Sequence, residues 1–338
     1  MADGSQAGPT RSCHGELVSA SFGFADCDGR LLVTRDGASW RDVTPARQAG
    51  PIYGVAFFGA REGRVLTNDC ADGRAAVHRT HDAGRTWSST PVRSVGCSTL
   101  SGIQLGFLDA THGWLNYRSG QDAFFLLLTA DRGVTWRSAG SLPFWGGVTF
   151  RTPSEGWLAR SDWRRIQQLH VSRDGGRTWR RRLLSPPRAW AGARLFPDVP
   201  TFFGMRGVLP VTMTRGAASA VAFYSTRDGG RIWRLRSVRP VEFEPERPSN
   251  PFVWYVPVSV VNLDTWWVAD GRSRPSVSVT ADAGRTWRRF ASSGLPRSRW
   301  WTISAVSVGL AWLTPYSPRS ALFETLDGGR SWRRLSPR

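Results

Sequence analysis

Three of the seven glutamates stand within seven residues: Glu242, Glu244 and Glu246 in the stretch VEFEPER, 241–247. Glu242 and Glu244 flank Phe243, so on an extended chain both carboxylates leave the same side. Two such groups could act as general acid and general base, for instance on a glycosidic bond. Asp162 and Tyr255 are the other candidates for such chemistry. The competing reading is that the glutamates balance nearby arginines.

All 45 basic residues are Arg, against 26 acidic ones, a formal charge of +19. A GC-rich genome favours Arg over Lys on a solvated surface. It does not by itself account for so large a surplus. A summed field of this sign draws in polyanions or carboxylate-bearing partners. The absence of Lys excludes a P-loop lysine, a Schiff base and pyridoxal-phosphate chemistry. His14, His78, His81, His112 and His170 are scattered, and there is no G-x-S-x-G elbow. Neither a metal site nor a serine hydrolase is supported, and no cofactor is expected.

These side chains are placed by a repeat. Residues 80–87 read THDAGRTW, and close copies follow at 129–136, 172–179, 226–233, 280–287 and 325–332. A seventh copy, TRDGASW at 34–40, is one residue short. The pattern is S/T-x-D-x-G-x-S/T-W, with Ile232 the one departure at its seventh place. Its aspartates are Asp36, Asp82, Asp131, Asp174, Asp228, Asp282 and Asp327, spaced 46, 49, 43, 54, 54 and 45 residues apart. That period signals a solenoid or propeller. Between copies lie short apolar, alternating runs with a turn every eight to twelve residues and no helical period. Residues 101–136 show this well: 101–108, 114–117 and 123–129 read as strands, and the repeat joins 123–129 to a fourth opening at Trp136. Four strands, A to D, repeated radially make propeller blades. The expected fold is all-β: a seven-bladed propeller of four antiparallel strands per blade, with the repeated turn between C and D. A single domain over 13–338 follows a disordered segment, 1–12. The first blade reads as short, with 17–27 and 30–34 supplying two strands where three are expected. A closed ring is favoured, because an open one leaves strand edges unpaired.

Within the repeat, Asp pins a tight turn through backbone N–H groups and Gly takes a positive φ. The Trp is expected to bury against the neighbouring hairpin as blade core. One carboxylate per turn, without a partner at ligand spacing, makes the seven aspartates fold elements.

The strand register then assigns faces. The C–D and A–B turns share one rim; the B–C and D–A loops form the other, around the channel mouth. The B–C loops carry Arg118, Asp162, Trp163, Arg164, Arg165, Arg215, Arg272, Arg274 and Arg319. The D–A loops carry Trp190, Trp254, Tyr255, Arg297, Arg299, Trp300 and Trp301. Guanidinium forks suit carboxylate, phosphate or sulfate, and flat rings suit sugars, aromatic ligands or a peptide. Ordinary core Trp and solvated Arg are the competing reading. The four cysteines fall on this same face; among three connectivities, Cys13–Cys27 and Cys70–Cys97 are favoured. Two disulfides imply an oxidising compartment. No apolar run is long enough to span a membrane, and the first twelve residues contain no apolar signal core. An extracytoplasmic protein with its leader absent from this chain is expected, with a cytoplasmic one as the alternative.

The repeat resembles the Asp box, or bacterial neuraminidase repeat, shared by sialidases, sortilin-type receptors, some glucan hydrolases and the photosystem II assembly and stability factor family. The resemblance covers the whole chain and implies a propeller whose Asp-box turns lie away from the binding face. Sialidases of this kind are six-bladed and carry an Arg-Ile-Pro motif, which is absent here. Seven copies, some preceded by Gly-Trp (Gly113-Trp114, Gly156-Trp157), look closer to the photosystem II factor family and its bacterial relatives. That resemblance implies seven blades, protein partners and an arginine patch.

The expected function is a non-catalytic scaffold, monomeric, that binds a protein or anionic partner through the Arg- and Trp-rich face. The alternative is an enzyme of glycoside hydrolase or lyase type, or one acting on another small anionic substrate, at the channel mouth. Nucleic acid ranks third: its electrostatics fit, but no nucleic-acid motif is present.

Overall fold

The computed structural model describes residues 13–46, 50–69, 74–93, 95, 103–119, 123–162, 165–242, 256–271, 275–292, 294–296, 298, 301–315 and 321–338. Seven antiparallel sheets follow one another along the chain, each a meander of four strand positions in sequence order, one of them split into two short strands. Blade 1 comprises Cys13–Ser19, Phe22–Cys27, Arg30–Thr34 and Trp40–Asp42. Blades 2 to 7 begin at Ile52, Ile103, Gly147, Arg194, Val258 and Trp301, and the last strand is Arg333–Arg334. The fold is a seven-bladed β-propeller. No helix among the described residues is long and apolar enough to cross a membrane.

Blade 1 corrects the expectation of a missing strand. Residues 17–27 are not one strand: the chain reverses between Ser19 and Phe22, and the Ser21 N–H donates to Ser19 Oγ at 3.3 Å. Two small polar residues at the bend give the turn its local hydrogen bond. Among the described residues the blade therefore has all four strands and borrows none.

Blade 5 departs in another way. Its strand A is broken into Arg194–Pro197 and Thr201–Phe203, both paired with the long strand Arg206–Arg215. Pro197 and Pro200 frame the break, as expected of residues that cannot donate to a ladder.

The core lies between blades. Seven clusters of buried side chains each join two neighbours, from Phe22, Phe24 and Val33 against Phe57 and Val65 round to Cys13, Leu17 and Leu32 against Trp312 and Leu322. Strands B and C have a neighbour on both faces, so they are buried throughout: Trp266–Asp270 and Ala311–Pro315 have no exposed residue. Such strands read as continuous apolar runs rather than as alternation. Strand D is outermost and largely exposed.

The last of those clusters closes the ring. Leu17 N–H donates to Ser304 Oγ at 3.0 Å, and the Trp40 ring lies 5.8 Å from that of Trp312. Buried Glu324 accepts from Trp312 Nε1 at 3.1 Å and from Arg333 Nε at 2.6 Å; Arg333 Nη2 reaches Asp36 O at 3.3 Å. Among the described residues, closure is by side-chain packing, with no strand shared between the ends.

Candidate functional site

The repeated turns form one rim. In blade 2, Thr80 Oγ1 donates to Asp82 Oδ1 at 2.8 Å and accepts from Gly84 N–H at 2.8 Å. Asp82 accepts the Thr86 N–H at 2.9 Å and its hydroxyl at 2.6 Å. The same set recurs around Asp131, Asp174, Asp282 and Asp327. Blade 5 loses the hydroxyl clamp because Ile232 replaces Thr, yet Ile232 N–H still donates to Asp228 at 2.9 Å. These donors hold the carboxylates low. Asp174 and Asp282 are drawn down to about 2, first by the hydroxyls and then by the N–H groups of Thr178 and Thr286. Each aspartate serves its own turn.

The glycine of the turn also sets the blade spacing. Gly230 has φ 79°, and a Cβ there would lie 2.3 Å from Trp157 of the preceding blade. Gly176 meets Leu126 and Gly84 meets Val43 in the same way. Of the Trp that follow, Trp332 is buried in the core as expected, and the other six are not. Trp40, Trp87, Trp136, Trp179, Trp233 and Trp287 are only half-buried, at the edge of an interface. The deepest indoles are Trp157, Trp266, Trp267 and Trp312 on strand B, because strand B is covered from both sides and the turn from one.

On the opposite face the structure places only some of the candidates. Trp190 sits in a short 3-10 turn, Arg188–Trp190, between blades 4 and 5. Arg215 ends a B strand, and its guanidinium lies 5.5 Å from the Trp190 ring, with Nη1 donating to Ala189 O at 3.1 Å. These two are brought together. Arg118 is half-buried opposite Phe124 at the end of its strand. Trp301 is 7% exposed, packed with the core of blades 6 and 7, and its Nε1 donates to Ser298 O at 3.2 Å. Asp162 and Arg165 are backbone register partners at the end of the B–C hairpin of blade 4. Trp163, Arg164, Glu244, Trp254, Tyr255, Arg272, Arg274, Arg297, Arg299, Trp300, Arg319, Cys70 and Cys97 lie outside the described residues.

Glu242 is exposed and takes Arg289 Nη2 at 2.9 Å. The same Nη2 lies 3.9 Å from Asp270 Oδ2, and Asp270 also accepts the Glu242 N–H at 3.2 Å. Ser276 Oγ donates to Asp270, and Arg289 Nε donates to Ser276 at 3.1 Å. Sequence reasoning missed Asp270, Ser276 and Arg289, which stand on adjacent strands of blade 6 and meet Glu242 from the end of blade 5. Cys13 and Cys27 form the disulfide expected of them, directly opposite in register with Cα atoms 4.1 Å apart. Closing a loop of that length contributes about 3 kcal/mol in the chain-entropy picture.

Much of the positive charge stands on the other rim. Arg85, Arg177, Arg231, Arg285 and Arg330 occupy one place in five of the seven turns, all exposed. Arg41, Arg137, Arg180, Arg234, Arg288 and Arg333 follow the Trp in six, also exposed. The signal was present in the sequence as G-R-T-W-R within the repeat itself.

No protein-family model matches this chain, and no curated protein does. Solved structures do. The chain resembles a structure of YCF48 bound to D1 peptide, with 16% identity over 94% of each chain and a TM-score of 0.58. It resembles the GH74 xyloglucanase of Xanthomonas campestris at 15% identity and a TM-score of 0.60, over 97% of this chain but 56% of the enzyme. A PL25 ulvan lyase bound to a -[GlcA(1-4)Rha3S]- unit matches at 11% identity and a TM-score of 0.50, over 97% and 93%. Identities this low establish the propeller fold alone. The fold hosts peptide binders and polysaccharide enzymes alike.

Proposed function

We propose that this protein is a non-catalytic propeller scaffold of the Asp-box type, nearest the photosystem II assembly-factor group, that binds an acidic protein partner. Binding uses the face opposite the repeated turns. The carrying observation is the balance of groups there. Arg215 stands over Trp190, while Asp42 is engaged by Arg30 at 2.7 Å and Glu242 by Arg289. With these acids taken up and an overall charge of +19, an incoming carboxylate meets guanidinium forks beside flat rings. The likeness to a peptide-bound YCF48 along nearly the whole chain supports the same reading. The disulfide supports an oxidising, extracytoplasmic compartment. The test is affinity capture with the wild type and with a variant carrying Arg272, Arg274, Arg297 and Arg299 all changed to Ala. Loss of the captured partner is expected, while Arg137→Ala on the other rim retains it. Unchanged capture by the quadruple variant would sink the reading.

A second reading, an enzyme acting on an acidic glycan, is favoured by the Glu242 and Asp270 carboxylates that flank one guanidinium. Turnover of a uronic-acid polysaccharide, abolished in Glu242→Gln, would establish it in place of the first.

A further inference from the structure

The short turn of blade 1 borders a cavity. In the six full-length turns the residue after Asp donates its N–H to the A–B turn of its own blade; Ala83 N–H reaches Arg61 O at 2.8 Å, and Ala283 N–H reaches Asp264 O at 2.9 Å. Blade 1 runs directly from Asp36 to Gly37. Gly37 N–H still reaches Thr34 Oγ1 at 2.9 Å and Ser39 N–H still reaches Asp36 at 2.7 Å, so the residue omitted is the one at the tip. Between this turn and blade 2 opens a cavity of about 510 Å³, a size typical of small-molecule sites.

Its walls have two chemistries. Phe22, Val33, Trp40 and Ala60 supply apolar surface, and Arg35, Arg41 and Arg85 supply guanidinium groups. Arg41 is tied to the next blade through Ala83 O at 2.5 Å. Arg35 and Arg85 are exposed, and among the described residues neither has an ion-pair partner. Asp36 also lines the cavity, but its Oδ1 takes the Thr34 hydroxyl and the N–H groups of Ala38 and Ser39. Three guanidinium groups against one internally engaged carboxylate leave the lining positive.

We propose that this cavity binds a small organic acid: a carboxylate carried on a flat aromatic body. The carboxylate sits between Arg35 and Arg85, where planar forks match its geometry. The aromatic body lies against Trp40 and the apolar floor, where ring contacts add to area burial. Such a group could be a free aromatic acid or the C-terminal residue of a peptide, and the chemistry is the same. The cavity is on the rim opposite the proposed partner face, so the two readings stand independently.

Calorimetric titration tests it with three probes: phenylacetate, N-acetyl-glycyl-phenylalanine, and phenylacetamide as the neutral control. Saturable binding of at least one acid and none of the amide is expected; whichever acid binds more tightly identifies the source. Arg35→Ala and Arg85→Ala each raise Kd about tenfold or more, the worth of one charge-assisted hydrogen bond. Arg285→Ala, which changes the residue equivalent to Arg85 in blade 6, leaves Kd unchanged. Three results overturn the proposal: no saturation by either acid, equal binding of the amide, or an equal loss in Arg285→Ala. Because the altered arginines are exposed, an unchanged melting temperature separates lost binding from lost fold.

Discussion

At the rim of repeated turns, blade after blade makes the same contacts: Asp to the N–H and hydroxyl four residues on, Gly N–H to the Ser/Thr before the Asp, and the tip N–H to the A–B turn. At the opposite rim the described connections vary more: the B–C hairpins of blades 1, 4 and 5 close over two residues, while those of blades 3 and 6 are longer. Blade 1 has a disulfide and a two-residue hairpin, blade 4 leads into a 3-10 turn, and blade 6 has a buried carboxylate bridging serine and arginine. The repeated turn satisfies most of its polar groups within eight residues, and its two departures, Ile232 in blade 5 and the missing tip residue in blade 1, each keep the Asp and Gly hydrogen bonds. The opposite loops take partners from distant strands and are free to diverge. Stability should therefore concentrate on one rim and recognition on the other.

The strongest way to break this comparison is at a turn glycine. Gly230→Ala places a Cβ into Trp157 and forces a non-glycine residue to φ 79°. Left-handed strain and overpacking together should cost about 3 kcal/mol, read as a lower denaturation midpoint with an unchanged m-value. A loss below about 1 kcal/mol would mean that the interface relaxes and the glycines do not set blade spacing.

An intermediate effect is expected from acid. The folded pKa values of Asp36, Asp174, Asp282 and Asp327 are depressed to about 2 from 3.8, by N–H and hydroxyl donors within each turn. Depressed carboxylates contribute stability above their unfolded value, and that stability is lost as pH falls through the folded one. The melting temperature should drop between about pH 4 and pH 2, and the drop should be smaller in Asp174→Asn. Asp26 works in the other direction. Burial raises it from 3.8 to about 6, helped by Asp28 and opposed by the Gly29 N–H, so its penalty grows from about pH 4 to pH 6, is full above that, and is absent below pH 4. Asp26→Asn should flatten the curve between pH 4 and 7.

The smallest effect belongs to the opposite rim. Glu242 and Arg289 form an exposed ion pair, with side chains 54% and 42% accessible. Glu242→Ala should change stability by no more than about 0.5 kcal/mol. A loss as large as that of Gly230→Ala would erase the division between the two rims.

Several features were legible because they depend on a few consecutive residues. The seven turns, their Asp–Thr geometry, the placement of faces by strand alternation and the Cys13–Cys27 bridge all follow from spacing. Blade 1 was misread because two serines at 19 and 21 are a weak turn signal beside the Gly-rich turns elsewhere. Six of the seven repeat Trp were placed too deep because a run such as RTW does not say which face of a strand has a neighbour. Asp270, Ser276 and Arg289 were passed over because their meeting with Glu242 joins the end of one blade to the next.

The sequence alone determined the number of blades, the turn that fastens each, and the sign of the charge, since each rests on residues repeated at short range. Only the tertiary structure decided how the ring closes, through Glu324, Trp312 and Arg333 against blade 1. It also decided that the cores lie between blades and that the shortened turn borders an Arg-lined cavity. Those features arise where surfaces far apart in the chain are pressed together, and a contact of that kind leaves no local pattern to read.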